Sequence, residues 1–141
     1  MDCPVVEVAS IIMHEGQVLI GRPTGGKWKV PGSVVAFSEE LKTAAIRSVF
    51  SLSGVFSDPQ DVIFVSEVID KNLNQHRVIV YVYSTYIEGD PKPNEEWGEV
   101  QWHDVRQLGD LQPEMDEQTI DAFYKFSLIL QQSIARAGAQ A

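Results

Sequence analysis

Apolar and polar positions alternate along most of the chain in short blocks, broken by proline and glycine. Residues 5–14 place Val6, Val8 and Ser10 on one side and Val5, Glu7, Ala9 and Ile11 on the other. Both sides are mostly apolar, so this strand belongs in the interior of a sheet. Glu15-Gly16 reads as a tight turn into a second strand over 17–22, which makes a hairpin. A loop of breakers (23–26), a short strand (27–30) and an exposed Pro31-Gly32 turn follow, then a brief extended piece over 34–37. Ser38 is a suitable N-cap, and Glu39 and Glu40 suit the positive end of the helix it would start. Leu41, Ala44, Ala45, Ser48, Val49 and Leu52 recur at helical period, and Ile46 and Phe50 are apolar on the opposite side. That predicts a helix sandwiched between layers, ended by Gly54 in the left-handed conformation with Val55 packing back.

Asp58-Pro59 reads as a further break. Strands are predicted over 61–70, 76–87 and 99–102, joined by a polar connection (71–75) and an acidic, proline-containing loop (88–96). A transition with one helical turn (103–111) leads to a long helix over 114–137. Ile120, Phe123, Tyr124, Leu128, Leu130 and Ile134 fall near one broad face of that helix, and Arg136 suits its C-terminal end. Residues 138–141 are expected to fray. Without repeats or linkers, the whole chain, 1–141, reads as one α+β domain.

Composition changes this picture little. Hydrophobic residues at 44% and charged residues at 22% suit a globular domain of 141 residues with one core. No apolar run approaches the roughly 20 residues of a membrane span, and the N-terminus lacks the pattern of a secretory signal. The single cysteine, Cys3, fits a reducing cytoplasm and is best read as incidental. A net charge of −9 argues against nonspecific nucleic-acid binding. Arg22, Lys27 and Lys29 nevertheless cluster in sequence, either as solvated side chains or as a phosphate-facing group. Trp28, Trp97 and Trp102 are open to two readings, base stacking or packing. His14, His76 and His103 show no metal-ligand spacing.

The stretch Gly26-x-Trp28-x-x-Pro31-Gly32, followed by Glu39, Ala44-Ala45-x-Arg47 and Gly54-Val55, resembles the Nudix hydrolase family. That family's signature is G-x5-E-x7-R-E-U-x-E-E-x-G-U, with U a bulky aliphatic residue. Glu39, Arg47, Val49 and Gly54-Val55 fall at its first glutamate, arginine, first aliphatic and closing positions. The segment from Glu96 to Trp102 resembles the E-x-x-E-V-x-W near the end of many members. The resemblance implies an α/β/α sandwich with a mixed sheet between helices. It implies Mg²⁺ or Mn²⁺ held by signature glutamates, bridging a diphosphate and activating water for substitution at phosphorus.

The departures fall on that chemistry. Ser33 replaces the opening glycine, and Ser48, Ser51 and Leu52 replace the three glutamates of the helix. Positions 48, 51 and 52 are i, i+3 and i+4, so carboxylates there would converge on one cation; two hydroxyls and a leucine would not. Within the resemblance, Glu39, Arg47 and Glu99 are the remaining catalytic candidates. Glu40, Glu96 and Glu99 are the metal candidates if the protein is active; Arg22, Lys27, Trp28, Lys29 and Gly32 are the substrate-binding candidates. Three readings follow. One is a non-hydrolytic or severely impaired protein binding a nucleotide-type ligand or a protein partner. The second is a divergent, active metal-dependent pyrophosphohydrolase acting on a nucleoside diphosphate linked compound, a nucleotide sugar or a nucleoside triphosphate; Gly21-Arg22-Pro23 resembles the nucleotide-sugar branch. The third is a structural or dimerisation module, since members of the family often pair as homodimers.

Overall fold

The structure, a computed structural model, describes residues 3–140, and the side chains of residues 3–138. Expectations that fall on Met1, Asp2 and Ala141 lie outside the described residues. Strand β1 (Val5–His14) turns back at Glu15-Gly16 into β2 (Gln17–Arg22), with both turn residues at positive φ (52° and 77°). That is the pairing of dihedrals that matches strand twist in a two-residue hairpin. Strand β3 (Gly32–Val34) precedes helix α1 (Leu41–Ser53), and the long strands β4 (Phe56–Asp70) and β5 (Gln75–Glu88) form a second hairpin. Strand β6 (Glu99–Asp104), a 3-10 segment (Val105–Glu114) and helix α2 (Glu117–Gln140) complete the order.

The sheet runs β4-β5-β1-β2-β6, with β3 pairing β1 beside β2. Only the β1–β5 pairing is parallel, so the sheet is mixed. The apolar character of both faces of β1 places it at the centre. Val8 and Ile12 pack toward α1, with Ala44, Ala45 and Val49, while Ala9 and Ile11 pack toward α2, with Ala122 and Phe126. The result is the expected helix–sheet–helix sandwich.

Several local expectations are overturned. Residues 27–30 form no strand of their own; Trp28 and Lys29 make isolated bridges to Met115 and Gly21. Pro31-Gly32 is no exposed turn, because Pro31 is buried, its carbonyl accepts the Ser10 N–H (2.8 Å), and Gly32 starts β3. A side chain at 32 would place its Cβ 2.6 Å from the Val8 carbonyl oxygen, so glycine is required by close strand approach. Ser38 does not cap the helix: it sits at φ 65° in a preceding turn, and Glu40 is the N-cap without a side-chain bond. Ile46 and Phe50 face outward, 39% and 46% exposed, with Phe50 stacked on Phe56 at 4.5 Å.

Asp58-Pro59 interrupts nothing. Pro59 is tolerated because β4 is an edge strand, and the irregularity takes the form of a register shift between Pro59 and Asp61. Helix α2 starts at Glu117, three residues later than expected, and continues through Gly138 to Gln140. Its inward face is centred on Thr119, Ala122 and Phe126, whereas Tyr124 and Ile134 are 64% and 72% exposed. The small Ala122 gave no apolar signal at the centre of that face. No basic residue lies in its last turn. No helix among the described residues is long and apolar enough to cross a membrane.

Candidate functional site

The loop entering α1 is fixed by one carboxylate. Arg47 Nε donates to Glu39 Oε2 (2.8 Å), and Arg47 Nη2 donates to Glu39 Oε1 (2.9 Å) and to the Val34 carbonyl (3.1 Å). Glu39 Oε1 also accepts the Ala36 N–H at 3.0 Å. These bonds, Arg47's first and then the Ala36 amide's, hold the Glu39 carboxyl down at about 2, from 4.5. Glu39 and Arg47 therefore meet, and they spend their polar atoms on each other and on the 34–36 backbone. Gly54 adopts φ 79° and its N–H bonds the Phe50 carbonyl (2.8 Å), closing the helix as its position predicted.

Positions 48, 51 and 52 do share one side of α1 at its C-terminal half. Ser48 is buried and its hydroxyl donates to the Ala45 carbonyl (3.1 Å); Ser51 is exposed; Leu52 is 7% exposed. The loop after β5 is fastened over this end. Asn94 Nδ2 donates to the Leu52 carbonyl (2.5 Å), and Asn94 Oδ1 accepts the Glu96 and Trp97 N–H groups, both at 2.9 Å. Sequence reasoning missed Asn94, whose only signal was an asparagine just before the Glu96 motif.

A divalent cation such as Mg²⁺ needs several oxygens, usually carboxylates, in octahedral array. The donor set here does not fit one. The Ser48 hydroxyl is engaged, Leu52 offers no donor, and Glu40 lies on the opposite end of α1, about 16 Å from Ser51 along the axis. Among the described residues, no three His, Cys, Asp or Glu side chains are placed to hold a metal ion.

Arg22 does not stand free for a phosphate. Its Nη2 donates to Glu99 Oε1 (3.1 Å), its Nη1 reaches Glu114 Oε2 (3.5 Å), and its guanidinium lies 4.5 Å over the Trp28 ring. Glu99 is drawn to Arg22 because the two residues are opposite each other on β2 and β6. Trp28 is 4% exposed and Trp97 2%, so both are packing residues in this structure. Trp97 lies against Gly21, where a Cβ would come within 1.9 Å of its ring. Trp102 sits in an aromatic group with His14 and Tyr86. Lys27 is exposed, and Ser33 stands in β3, where the extended backbone makes no demand for glycine.

Lys29, Gly32, Leu52, Glu96 and Trp97 do come together. They line a cleft of about 130 Å³ together with Glu7, Arg77, Tyr81, Asp116 and Thr119. Arg77 pairs with Glu7 in a fork, Nε to one carboxylate oxygen and Nη2 to the other (2.9 Å). That bond raises the Arg77 pKa, so its charge is permanent. The Tyr81 phenol is pushed up to about 12, by burial first and then by Asp116 and Asp121. Sequence reasoning missed Glu7, Arg77 and Tyr81 as lining residues. The signal was an acid on β1 and a base on β5, each interrupting an apolar strand face. It becomes readable only once the parallel register, Val5 opposite Arg77, is known.

The sequence pattern of the NUDIX domain matches residues 4–126, and the chain belongs to that family. Solved structures agree on the fold. A NUDIX hydrolase from Nitrosomonas europaea superposes with a TM-score of 0.78 at 15% identity, covering 89% of this chain and 90% of its own. The MutT protein from Methanosarcina mazei Go1 gives 0.77 at 22% identity, covering 90% and 96%. An ADP-ribose pyrophosphatase from Streptococcus suis 89-1591 gives 0.71 at 18% identity, covering 93% and 92%. No curated protein matches significantly in sequence.

Proposed function

We propose that this NUDIX-fold chain binds a nucleotide-type diphosphate ligand and has lost, or nearly lost, the ability to hydrolyse it. One observation carries the reading: on the helix face that the family's signature fills with glutamates, Ser48 is buried and bonded to Ala45, and Leu52 forms part of the cleft wall. Glu39 and Arg47 keep the loop in shape, which supports a structural rather than a chemical role for both. The cleft suits a single ring system, being smaller than the roughly 300 Å³ of a typical full ligand site. A base or sugar would enter it, leaving the phosphates outside, with the exposed Lys29 at the rim as their cation.

A second reading keeps activity. Glu96 is exposed and lines the same cleft as Leu52, so one carboxylate is available to an ion that arrives on the substrate's phosphates. Calorimetry with ADP-ribose, the compound named for the Streptococcus suis relative, separates the two. Binding that needs no Mn²⁺, without release of AMP, is expected. Mn²⁺-dependent AMP release that Glu96→Gln lowers would overturn the proposal. A panel of nucleotides that leaves the melting temperature unmoved would favour a protein partner at the cleft instead.

A further inference from the structure

Strand β4 forms one edge of the sheet, and proteins normally blunt such an edge with proline, bulges or lysine. Here only the first half of the strand is treated that way. Pro59 and the register shifts against β5 all fall between Phe56 and Phe64. From Phe64 to Asp70 the pairing with β5 is continuous, and on the outer side these residues make no backbone hydrogen bond among the described residues. Beside that edge a groove of about 400 Å³ separates residues 66–69 from the start of α2, with Glu117, Asp121 and Lys125 on the helix wall. Lys125 is already committed, to Asp121 (2.9 Å) and to the Ser66 hydroxyl (3.3 Å), so the groove is acidic. On the opposite face of the strand Val65 and Ile69 are 55% and 57% exposed, with Glu67 between them.

We propose that residues 64–70 of β4 accept an added strand from a different protein, an extended segment in which apolar and basic residues alternate. Such a segment supplies the backbone partners that the outer edge lacks. Successive side chains of a strand point to opposite faces, so its apolar residues extend the row of Val65 and Ile69 while its basic residues enter the groove toward Glu117 and Asp121. Backbone bonds then give the affinity and the groove gives the selectivity.

Charge selects this occupant. Strand β4 carries Asp58, Asp61, Glu67 and Asp70 and no basic residue. A second copy of β4 laid against the first would set like charges side by side, between chains that each carry a net −9. A basic strand meets the opposite field, both along the edge and inside the groove.

Calorimetry and hydrogen exchange of the full chain with a capped octapeptide of alternating lysine and valine test this. Saturable binding is expected, with slowed exchange of amides within 64–70. The same peptide N-methylated at every internal residue keeps its charge but cannot pair as a strand, and should bind about tenfold more weakly or not at all. The double variant Glu117→Lys, Asp121→Lys, checked for its fold by circular dichroism, should weaken the lysine–valine peptide by about tenfold and favour a glutamate–valine counterpart by a similar factor. Absence of binding, equal binding of the methylated peptide, protection confined to other segments, or a folded double variant with unaltered preference each overturns the proposal. So does protection of the 64–70 amides that rises with chain concentration alone, which would seat a second copy on the edge.

Discussion

Restoring glutamate at positions 48, 51 and 52 should convert α1 into a metal-dependent element. Without metal, the triple variant Ser48→Glu, Ser51→Glu, Leu52→Glu loses the burial of Leu52, which is 7% exposed, worth about 2 kcal/mol. It also gains two like-charged pairs at i, i+3 and i, i+4, costing about 0.3 kcal/mol each. The Ser48 hydroxyl's bond to Ala45 disappears, for about a further 0.5 kcal/mol. These terms sum to about 3 kcal/mol, or roughly 10 °C in melting temperature for a chain of this size, and a carboxylate at the buried position 48 adds a desolvation cost to them. Mn²⁺ at a hundred times its dissociation constant returns about 2.7 kcal/mol, so the variant should melt markedly higher with the metal than without it. Thermal melts of parent and variant, with and without Mn²⁺, measure both numbers, and the parent should not respond. A variant that folds, by circular dichroism, but melts at the same temperature with and without Mn²⁺ would refute the assignment of these three positions to one metal-facing side.

Three further outcomes follow from particular contacts. The depressed Glu39 carboxyl contributes stability above its unfolded value near 4.5 and loses it as pH falls through about 2. Urea midpoints should therefore decline across that window, and Glu39→Gln should flatten part of the decline. The rest would remain, because Asp104, paired with Arg106, is also held down at about 2; an unchanged pH profile would refute the Glu39 contribution. Asn94→Ala removes the acceptor of the Glu96 and Trp97 amides and the donor to Leu52, costing about 2 kcal/mol. Hydrogen exchange at those two amides should quicken, and unaltered exchange would show that the loop holds itself. Gly21→Ala forces the Trp97 ring aside, with an expected loss of about 1–3 kcal/mol and a red-shifted tryptophan emission. Parent-like emission and melting would contradict the contact.

How much of this was legible in the sequence depended on the range of the contact responsible. The two-faced apolarity of β1, the Glu15-Gly16 hairpin and the Gly54 helix stop are local signals, and each is found where the residues indicate. Pro31-Gly32 misled because its local signal, a turn, is overridden by a tertiary one: Gly32 must lie against the Val8 carbonyl. Pro59 misled for the complementary reason, since a strand at a sheet edge has no partner on one side to miss its N–H. At the candidate site, the sequence left Arg47's partner open between Glu39 and another local acceptor, and the structure shows it on Glu39. Glu7, Arg77 and Asp116 come from three separate segments, and only the parallel β1–β5 register and the entry of α2 bring them to one cleft.

The frame around α1 can outlast its metal-binding face because none of the bonds that shape it pass through that face. The entrance is held by Glu39, Arg47 and the 34–36 backbone. The exit is held by Gly54, by the Lys92 N–H on the Ser53 carbonyl (2.9 Å), and by Asn94 on the Leu52 carbonyl. These last contacts use main-chain oxygens, which any residue at 52 or 53 supplies. The inward residues Ala44, Ala45 and Val49 pack on β1 whatever stands at 51. Ser48 and Ser53 answer their own hydroxyls inside the helix, on Ala45 and Val49. Glutamates at 48, 51 and 52 would add mutual repulsion, relieved only by a bound cation. In the proposed reading, Ser48, Ser51 and Leu52 free the fold from that constraint at the positions where the site would give up its function, so stability and catalysis would be separable along one helix.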